Sequence, residues 1–157
     1  MKVTRTRKVA APVGAVWGLV SDPHSLPRWW PKVMRVEDVT GRGQRSRWTS
    51  VLETDTGNGV RADFRCTAST EEERYAWSQD LAGTAFERIL TQAGLEIKLE
   101  PTGPEETSVS LTSDETLRGL SRLGGPMMRG ATRRRLDEAF EGIDRALVGE
   151  PSVERER

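Results

Sequence analysis

The feature that most constrains the fold is a long amphipathic helix at the end of a chain that otherwise alternates with period two. From Pro126 to about Leu147, apolar side chains recur at spacings of three and four, the period of one helix face. They are Met128, Leu136, Ala139, Phe140, Ile143 and Leu147. Most of the sequence from Lys2 to Leu117 instead alternates as β-strands do. One amphipathic helix after a run of strands needs a sheet to cover it, so the sequence predicts an α+β fold.

The composition indicates a single domain without net charge. Its 157 residues suffice for one hydrophobic core, and its 24 basic and 24 acidic residues balance. A neutral chain is a poor general binder of polyanions, so we expect no nucleic-acid partner. The single cysteine, Cys66, excludes an internal disulfide and a cysteine zinc cluster. We predict one domain over residues 1–148 and a polar, disordered tail over 149–157.

No segment of the sequence predicts a membrane span, a signal peptide or a cofactor site. No apolar run approaches the roughly 20 residues that cross a bilayer, and Met1 leads directly into a strand. We therefore expect a cytoplasmic protein without stable membrane insertion. His24 is the only histidine, and the glycines follow no phosphate-binding pattern. We accordingly expect neither a metal nor another cofactor.

Strand and turn patterns predict seven strands, with two short helices after the first strand. Pro12 opens the first helix, and Asp22 caps the second with Pro23 at its first position, since these residues are favoured there. The strands are predicted near residues 2–9, 33–40, 44–54, 60–68, 75–81, 84–99 and 107–117. A bulge is expected at Ala93–Gly94, where the apolar phase shifts. Tight connections of this kind join antiparallel neighbours.

A twisted sheet around a straight helix predicts a hollow, because the two cannot touch everywhere. Such hollows are common ligand sites, and aromatic and methionine side chains suit an irregular apolar cavity. The candidate ligand-binding residues are Trp29, Trp30, Trp48, Phe64, Trp77, Val109, Leu111, Met127 and Met128. Ordinary core packing is the alternative for each of them. Of the adjacent pair Trp29 and Trp30, we expect one to pack beneath the helices and the other to face the cavity or solvent.

Several short stretches also occur in an informative order. They are Val9–Pro12 with Val16–Trp17, Ser21–Pro23 followed by Leu26–Pro31, then Trp77, Phe86 and the approach Arg118–Gly125 to the last helix. Together, over residues 2–148, they resemble the START-like helix-grip (SRPBCC) superfamily and specifically its bacterial polyketide cyclase/dehydrase and lipid-transport branch. The resemblance implies a seven-stranded antiparallel sheet wrapped around the long C-terminal helix, with two short helices between strands 1 and 2.

The resemblance leaves three functions open, since one fold hosts many activities. The first is a binding module that holds a hydrophobic lipid, polyketide or aromatic compound between sheet and helix. The second is a polyketide aromatase/cyclase or dehydratase in the same cavity, which would act largely by folding its substrate. The third is a chaperone-activator-like interaction module, which predicts an exposed apolar patch and a filled core.

Polar side chains in the cavity would favour the enzyme. We expect His24 to be exposed and Cys66 to be a small buried residue rather than a nucleophile. The candidates Arg45, Arg47, Arg61, Asp63 and Arg65 are predicted to face solvent, and would enter the cavity only if the strand register were inverted. The basic run of Arg129, Arg133, Arg134 and Arg135 is predicted to form a solvated helix face, paired with Asp137 and Glu138 four residues on.

Overall fold

The computed structural model describes residues 1–119 and 125–149, which form one sheet, two short helices and one long helix. β1 (Lys2–Val9) precedes α1 (Val13–Val20), a 3-10 turn (Pro23–Ser25) and α2 (Leu26–Trp29). The remaining strands are β2 (Val33–Thr40), β3 (Arg47–Glu53), β4 (Gly59–Thr70), β5 (Arg74–Asp80), β6 (Leu90–Gly103) and β7 (Glu106–Leu117). The long helix, α3, spans Gly125–Leu147. No helix in these described ranges is long and apolar enough to cross a membrane.

The seven strands form one antiparallel sheet in the order β1-β7-β6-β5-β4-β3-β2. Strands β2 to β7 each pair with their sequence neighbours, as tight turns require. β1 instead pairs with β7, from Lys2 opposite Asp114 to Val9 opposite Thr107. The predicted α+β helix-grip fold, with two short helices between the first two strands, is therefore confirmed.

The corner between β1 and β2 forms because its residues satisfy the ends of short helices. The Asp22 carboxylate accepts a hydrogen bond from the backbone N–H of His24 at 3.0 Å, and Pro23 is the first residue of the 3-10 turn. Pro12 caps α1 rather than beginning it. Trp29 is buried at the end of α2, whereas Trp30 is half-buried. The corner thus places Trp29 in the core and Trp30 at the edge of the core.

The predicted strand over residues 84–99 is wrong in its first part. A 3-10 turn occupies Ala85–Arg88, and β6 begins only at Leu90. The Thr84 hydroxyl donates to the Leu81 carbonyl at 2.7 Å, and the Gly83 N–H donates to the Glu87 carboxylate at 2.9 Å. These local bonds close a turn that alternation of side chains does not reveal.

The bulge predicted at Ala93–Gly94 is also misplaced. Both residues pair in register with β7, and the shift lies between Leu90 and Gln92 instead. The change of apolar phase in the sequence therefore marks the entry from the turn into β6, rather than a break in the middle of the strand.

α3 buries its apolar stripe against the sheet, but its charged face is only partly solvated. Asp137 does not form an ion pair with its predicted partner Arg133. Its carboxylate binds Arg5 and Arg7 of β1 instead, with N–O distances of 3.1 and 3.0 Å. The long arginine side chains of β1 reach across to the helix, so a tertiary contact replaces the local one. Most of the predicted tail (150–157) and of the glycine-rich approach to α3 (120–124) lie outside the described residues.

Candidate functional site

A cleft lies between α3, the α2–β2 connection and the sheet. Its helix-side chamber has a volume of about 570 Å³. The lining residues are Trp30, Pro31, Lys32, Leu52, Glu53, Glu115, Met128, Ala131, Thr132, Arg134, Arg135 and Glu138. An adjoining sheet-side chamber of about 170 Å³ is lined by residues of β3 to β7 and by Phe86. The two chambers share Trp30, Leu52, Glu115 and Arg135, so they adjoin at these side chains.

Aromatic rings form one wall of the cleft. Trp77 of β5 packs edge-on against Trp30 with 5.4 Å between ring centroids, and against Trp48 at 6.0 Å. Trp48 in turn stacks on Phe64 at 6.0 Å. Alternation along β3, β4 and β5 brings these side chains to the same face of the sheet, and their mutual contacts limit their freedom. The wall offers a rigid apolar surface to a flat or extended ligand.

A partly buried ion pair lies where the two chambers meet. Arg135 of α3 donates through Nη2 to the Glu115 carboxylate of β7. Glu115 is 8% exposed, so this carboxylate is removed from bulk water. The Ser113 hydroxyl lies 3.4 Å from the same carboxylate oxygen. The cleft therefore combines an apolar wall with a charged but internally neutralised centre.

Two further N–H donors in the sheet-side chamber have no partner among the described residues. Gln79 Nε2 and Arg135 Nε are both buried without a hydrogen bond. Both side chains line this chamber together with Glu115.

The sequence prediction did not include Glu115, Gln79 or Arg135. Glu115 continues the inward alternation of Val109, Leu111 and Ser113, so extending that pattern by one step would have found it. Arg135 was assigned to the solvated basic run. That assignment is wrong for Arg135, because its head group pairs with the Glu115 carboxylate. On the helix, Arg135 is adjacent to the buried Leu136. Arg134 also lines the helix-side chamber.

The nine predicted ligand-binding residues separate into three groups. Trp30, Phe64, Trp77 and Met128 line the chambers, and Trp48 borders a small recess beside Phe64 and Trp77. Trp29, Val109 and Leu111 lie in the main buried cluster and line neither chamber. Met127 is 83% exposed, next to the lining residue Met128.

The polar residues considered for catalysis do not line the cleft. His24 is exposed beside Asp22, with 3.1 Å between Nδ1 and Oδ1. On the outer face of the sheet Arg61 binds Glu37, while Arg47 and Arg65 both bind Asp80. Asp63 accepts from the Thr49 hydroxyl at 2.6 Å. The predicted register of β4, with its charged residues away from the helix, is therefore confirmed.

Cys66 is buried, as expected, and its thiol donates to the Ala68 carbonyl at 3.2 Å. Burial raises the pKa of this thiol, which keeps it protonated at neutral pH. We predict that the native protein reacts with a thiol-specific disulfide reagent at least about a hundredfold more slowly than the protein in guanidinium chloride. Absorbance of the released chromophore measures both rates, and equal rates would contradict the burial of Cys66.

Within residues 1–119 and 125–149, no three His, Cys, Asp or Glu side chains are placed to hold a metal ion. Of the charged side chains that line the cleft, Arg135 and Glu115 pair with each other.

Solved structures share this architecture across nearly the whole chain. A START superfamily protein from Mycobacterium smegmatis has 21% identity and a TM-score of 0.69, with 90% of this chain and 94% of that chain covered. A Thermus thermophilus protein, TTHA0849, has 20% identity and a TM-score of 0.75, covering 97% and 100%. The Zhui aromatase/cyclase from a Streptomyces species has 21% identity and a TM-score of 0.70, covering 93% and 95%. No curated protein matches the sequence.

A seven-stranded sheet closed on a C-terminal helix, with a cleft between them, defines a START-like helix-grip protein. The family model described as polyketide cyclase/dehydrase and lipid transport matches residues 1–148. The chain belongs to this family, whose fold is of a type that binds hydrophobic ligands.

Proposed function

We propose that this protein binds a hydrophobic small molecule, such as a lipid, a polyketide or another aromatic compound, in the cleft between the sheet and α3. The observation that carries the proposal is the helix-side chamber of about 570 Å³, which adjoins an aromatic-walled second chamber. Ligand sites of small molecules span roughly 300–1,000 Å³ and are concave and mostly pre-formed. Trp30, Leu52, Phe64, Trp77 and Met128 are the proposed apolar ligand contacts.

Affinity would come mainly from apolar surface removed from water. About 300 Å² of ligand surface buried against the aromatic wall contributes roughly 7 kcal/mol before the entropic costs of association. Half of the residues lining the helix-side chamber are charged. They keep the entrance of the cleft hydrated, and they confine the apolar part of the ligand to the region around Trp30 and Trp77.

Native mass spectrometry of the freshly purified protein tests the proposal. We expect a bound mass of a few hundred daltons, the size that such a chamber accommodates. The bound species should be released by denaturation and identified by extraction. A protein that is free of ligand, and stays so with a panel of lipids, polyketides and aromatic compounds, would contradict the proposal.

A matched pair of tryptophan substitutions on α3 tests the place of binding. Ala131 lines the helix-side chamber and is exposed to it, whereas Arg133 is exposed on the same helix and lines neither chamber. Ala131→Trp should fill part of the chamber and lower ligand affinity at least about tenfold. Arg133→Trp should leave the affinity within about twofold of the parent value. Isothermal titration calorimetry with the extracted ligand measures both, and equal losses would place the ligand elsewhere.

Catalysis in the same cleft is the second candidate, and one observation favours it. The carboxylate of Glu115, the amide of Gln79 and the guanidinium of Arg135 all reach the sheet-side chamber. Such groups could bind the oxygens of a poly-β-ketone chain while the aromatic wall folds it. Incubation with a reactive poly-β-ketone thioester should then change the ratio of cyclised products, and Glu115→Gln should restore the uncatalysed ratio. An unchanged product ratio would remove this candidate.

The third candidate, an interaction module of the chaperone-activator kind, predicts a filled core. The open cleft beside α3 argues against it. Among the described residues, the large apolar side chains of Met34, Val60, Ile89 and Met127 are exposed, but they belong to four separate segments of the chain. We therefore place this candidate last.

A further inference from the structure

We propose that one end of the molecule, outside the cleft, docks reversibly on an anionic lipid bilayer without spanning it. The docking surface consists of five exposed residues, which together are named the basic tip. They are Arg88, Ile89, Arg118, Met127 and Arg129. The partner is a surface of acidic lipid headgroups, which the basic tip meets with positive charge and apolar side chains together.

Three segments meet at the basic tip: the 3-10 turn before β6, the end of β7 and the first turn of α3. The Arg118 N–H donates to the Ile89 carbonyl at 2.7 Å, which joins the end of β7 to the residue after the turn. One side chain from each segment packs against the same small buried cluster. These side chains are Phe86, Leu117 and Met128. Ile89 and Met127, distant in the sequence, are therefore held at the same end of the molecule.

Positive charge is concentrated at this end of a chain whose net charge is zero. Residues 85–90, 117–119 and 125–134 contain five arginines and one acidic residue, Glu87. The arginines are Arg88, Arg118, Arg129, Arg133 and Arg134. The rest of the chain accordingly carries a matching excess of acidic residues, so an anionic surface attracts this end and repels the remainder. That asymmetry orients the molecule with the basic tip toward the membrane.

These arginines differ from those on the outer face of the sheet in having no acidic partner. Arg61, Arg65 and Arg74 each bind a carboxylate on another strand. In the part of the chain that the structure describes, none of the five arginines forms an ion pair. A lipid phosphate therefore meets guanidinium donors that no described carboxylate occupies.

The exposed apolar side chains of the basic tip favour a membrane over a nucleic acid as the partner. Met127 is 83% exposed and Ile89 is 52% exposed, so both leave at least half of their surface in water. The interface of a bilayer buries such side chains while its acidic headgroups attract the surrounding arginines. A single-stranded nucleic acid binds to aromatic side chains on which its bases stack, and none of the five residues of the basic tip has a ring.

Docking by the basic tip brings the cleft to the membrane surface. Met128 lines the helix-side chamber, and Leu90 lines the sheet-side chamber. These two residues directly follow Met127 and Ile89 in the chain. A hydrophobic ligand could thus pass between the bilayer and the cleft over a short path. That consequence rests on the proposed function, whereas the docking itself does not.

Co-sedimentation with large unilamellar vesicles tests the docking. One set of vesicles contains phosphatidylcholine alone, and the other contains phosphatidylcholine and phosphatidylglycerol in equal parts. At low ionic strength we expect the protein to partition at least about tenfold more strongly onto the anionic vesicles. Concentrated salt should remove this preference, because it screens exposed charges. Equal partitioning onto the two sets at low ionic strength would overturn the proposal.

Two double variants of equal net charge test which part of the surface binds. Arg88→Glu with Arg129→Glu reverses two charges of the basic tip and should weaken partitioning onto anionic vesicles at least about tenfold. Arg42→Glu with Arg45→Glu reverses two exposed charges between β2 and β3, outside the basic tip. This control should weaken partitioning less than about threefold. Equal losses in the two variants would contradict docking by the basic tip.

A pair of methionine substitutions tests the apolar part of the contact. Met127→Asp should weaken partitioning onto anionic vesicles at least about fivefold, since it places a carboxylate among the headgroups. Met34→Asp adds the same charge at a methionine of β2 that is 47% exposed, and should stay within about twofold of the parent protein. A single-stranded oligonucleotide that binds more tightly than the vesicles, and equally well to Met127→Asp, would overturn the proposal in favour of a nucleic-acid partner.

Binding of the neutral fluorescent probe N-phenylnaphthylamine separates the docking from the proposed function. Arg88→Glu with Arg129→Glu should bind this probe as the parent does, because neither arginine lines a chamber. Loss of probe binding together with vesicle binding would contradict a separate docking surface. Vesicle binding by a protein that binds no probe would support the docking and count against the proposed function alone.

Discussion

Gly142→Ala should destabilise the protein by about 2–3 kcal/mol, although glycine-to-alanine changes inside helices usually stabilise by about 1 kcal/mol. Gly142 is buried in α3, facing the end of α2. A Cβ added there would lie 2.6 Å from the Trp29 Cα, closer than packed atoms approach. Because the obstacle is backbone rather than a flexible side chain, α3 or the corner would have to move. The cost of that movement exceeds the gain in helix propensity.

Gly130→Ala is the matched control on the same helix. The nearest atom to an added Cβ there is the end of the Arg134 side chain, at 4.0 Å. With this space free, only propensity acts, and we expect a gain of about 0.5–1 kcal/mol. Urea unfolding followed by circular dichroism gives both free energies of unfolding. A stabilisation of equal size at Gly142 would show that α3 does not pack on the backbone of Trp29.

Leu111→Ala should lower the free energy of unfolding by about 2–5 kcal/mol. Leu111 is fully buried in the middle of β7, where it pairs with Ile97 of β6 and Arg5 of β1. Both neighbouring strands and α3 surround this position, so the structure has little room to close the cavity left by the missing atoms. Urea unfolding measures the loss, and native mass spectrometry of the folded variant should still detect the ligand.

Met128→Ala is the counterpart of Leu111→Ala in the cleft. Met128 lines the helix-side chamber and is only half-buried, so its truncation should cost less than about 1 kcal/mol of stability. It should instead weaken ligand binding several-fold, because it removes apolar contact with the ligand. The opposite pattern, with Leu111→Ala weakening binding at little cost in stability, would place Leu111 in the ligand site.

Secondary structure followed from the sequence wherever a periodic pattern was long. The alternation of β4 and β7 and the 3.6-residue stripe of α3 each appear in the structure near their predicted bounds. These patterns are readable because a strand and a helix present side chains with different fixed periods. The pattern failed at residues 84–89, where side-chain bonds of Thr84 and Glu87 close a turn instead of extending a strand.

Residues of the candidate site were only partly predictable, since facing inward is necessary for lining a cleft but not sufficient. Trp77 and Leu111 both alternate inward on their strands, yet Trp77 borders the cleft and Leu111 lies in packed core. The charged residues of the site were harder to predict from the sequence than the apolar ones. Arg135 lies in a run of arginines that is typical of a solvated helix face. It becomes part of the site only because Glu115 of β7 lies within reach of its head group.

By itself, the sequence determined most of the elements, the antiparallel pairing of β2 to β7 and the faces that had to be buried, because these depend on local periods and short connections. The tertiary structure alone decided how far α3 stands from each strand. That distance is set by contacts between residues far apart in sequence, such as Gly142 against Trp29, Asp137 between Arg5 and Arg7, and Arg135 with Glu115. Where the helix touches the sheet there is core, and where it stands away there is a cleft.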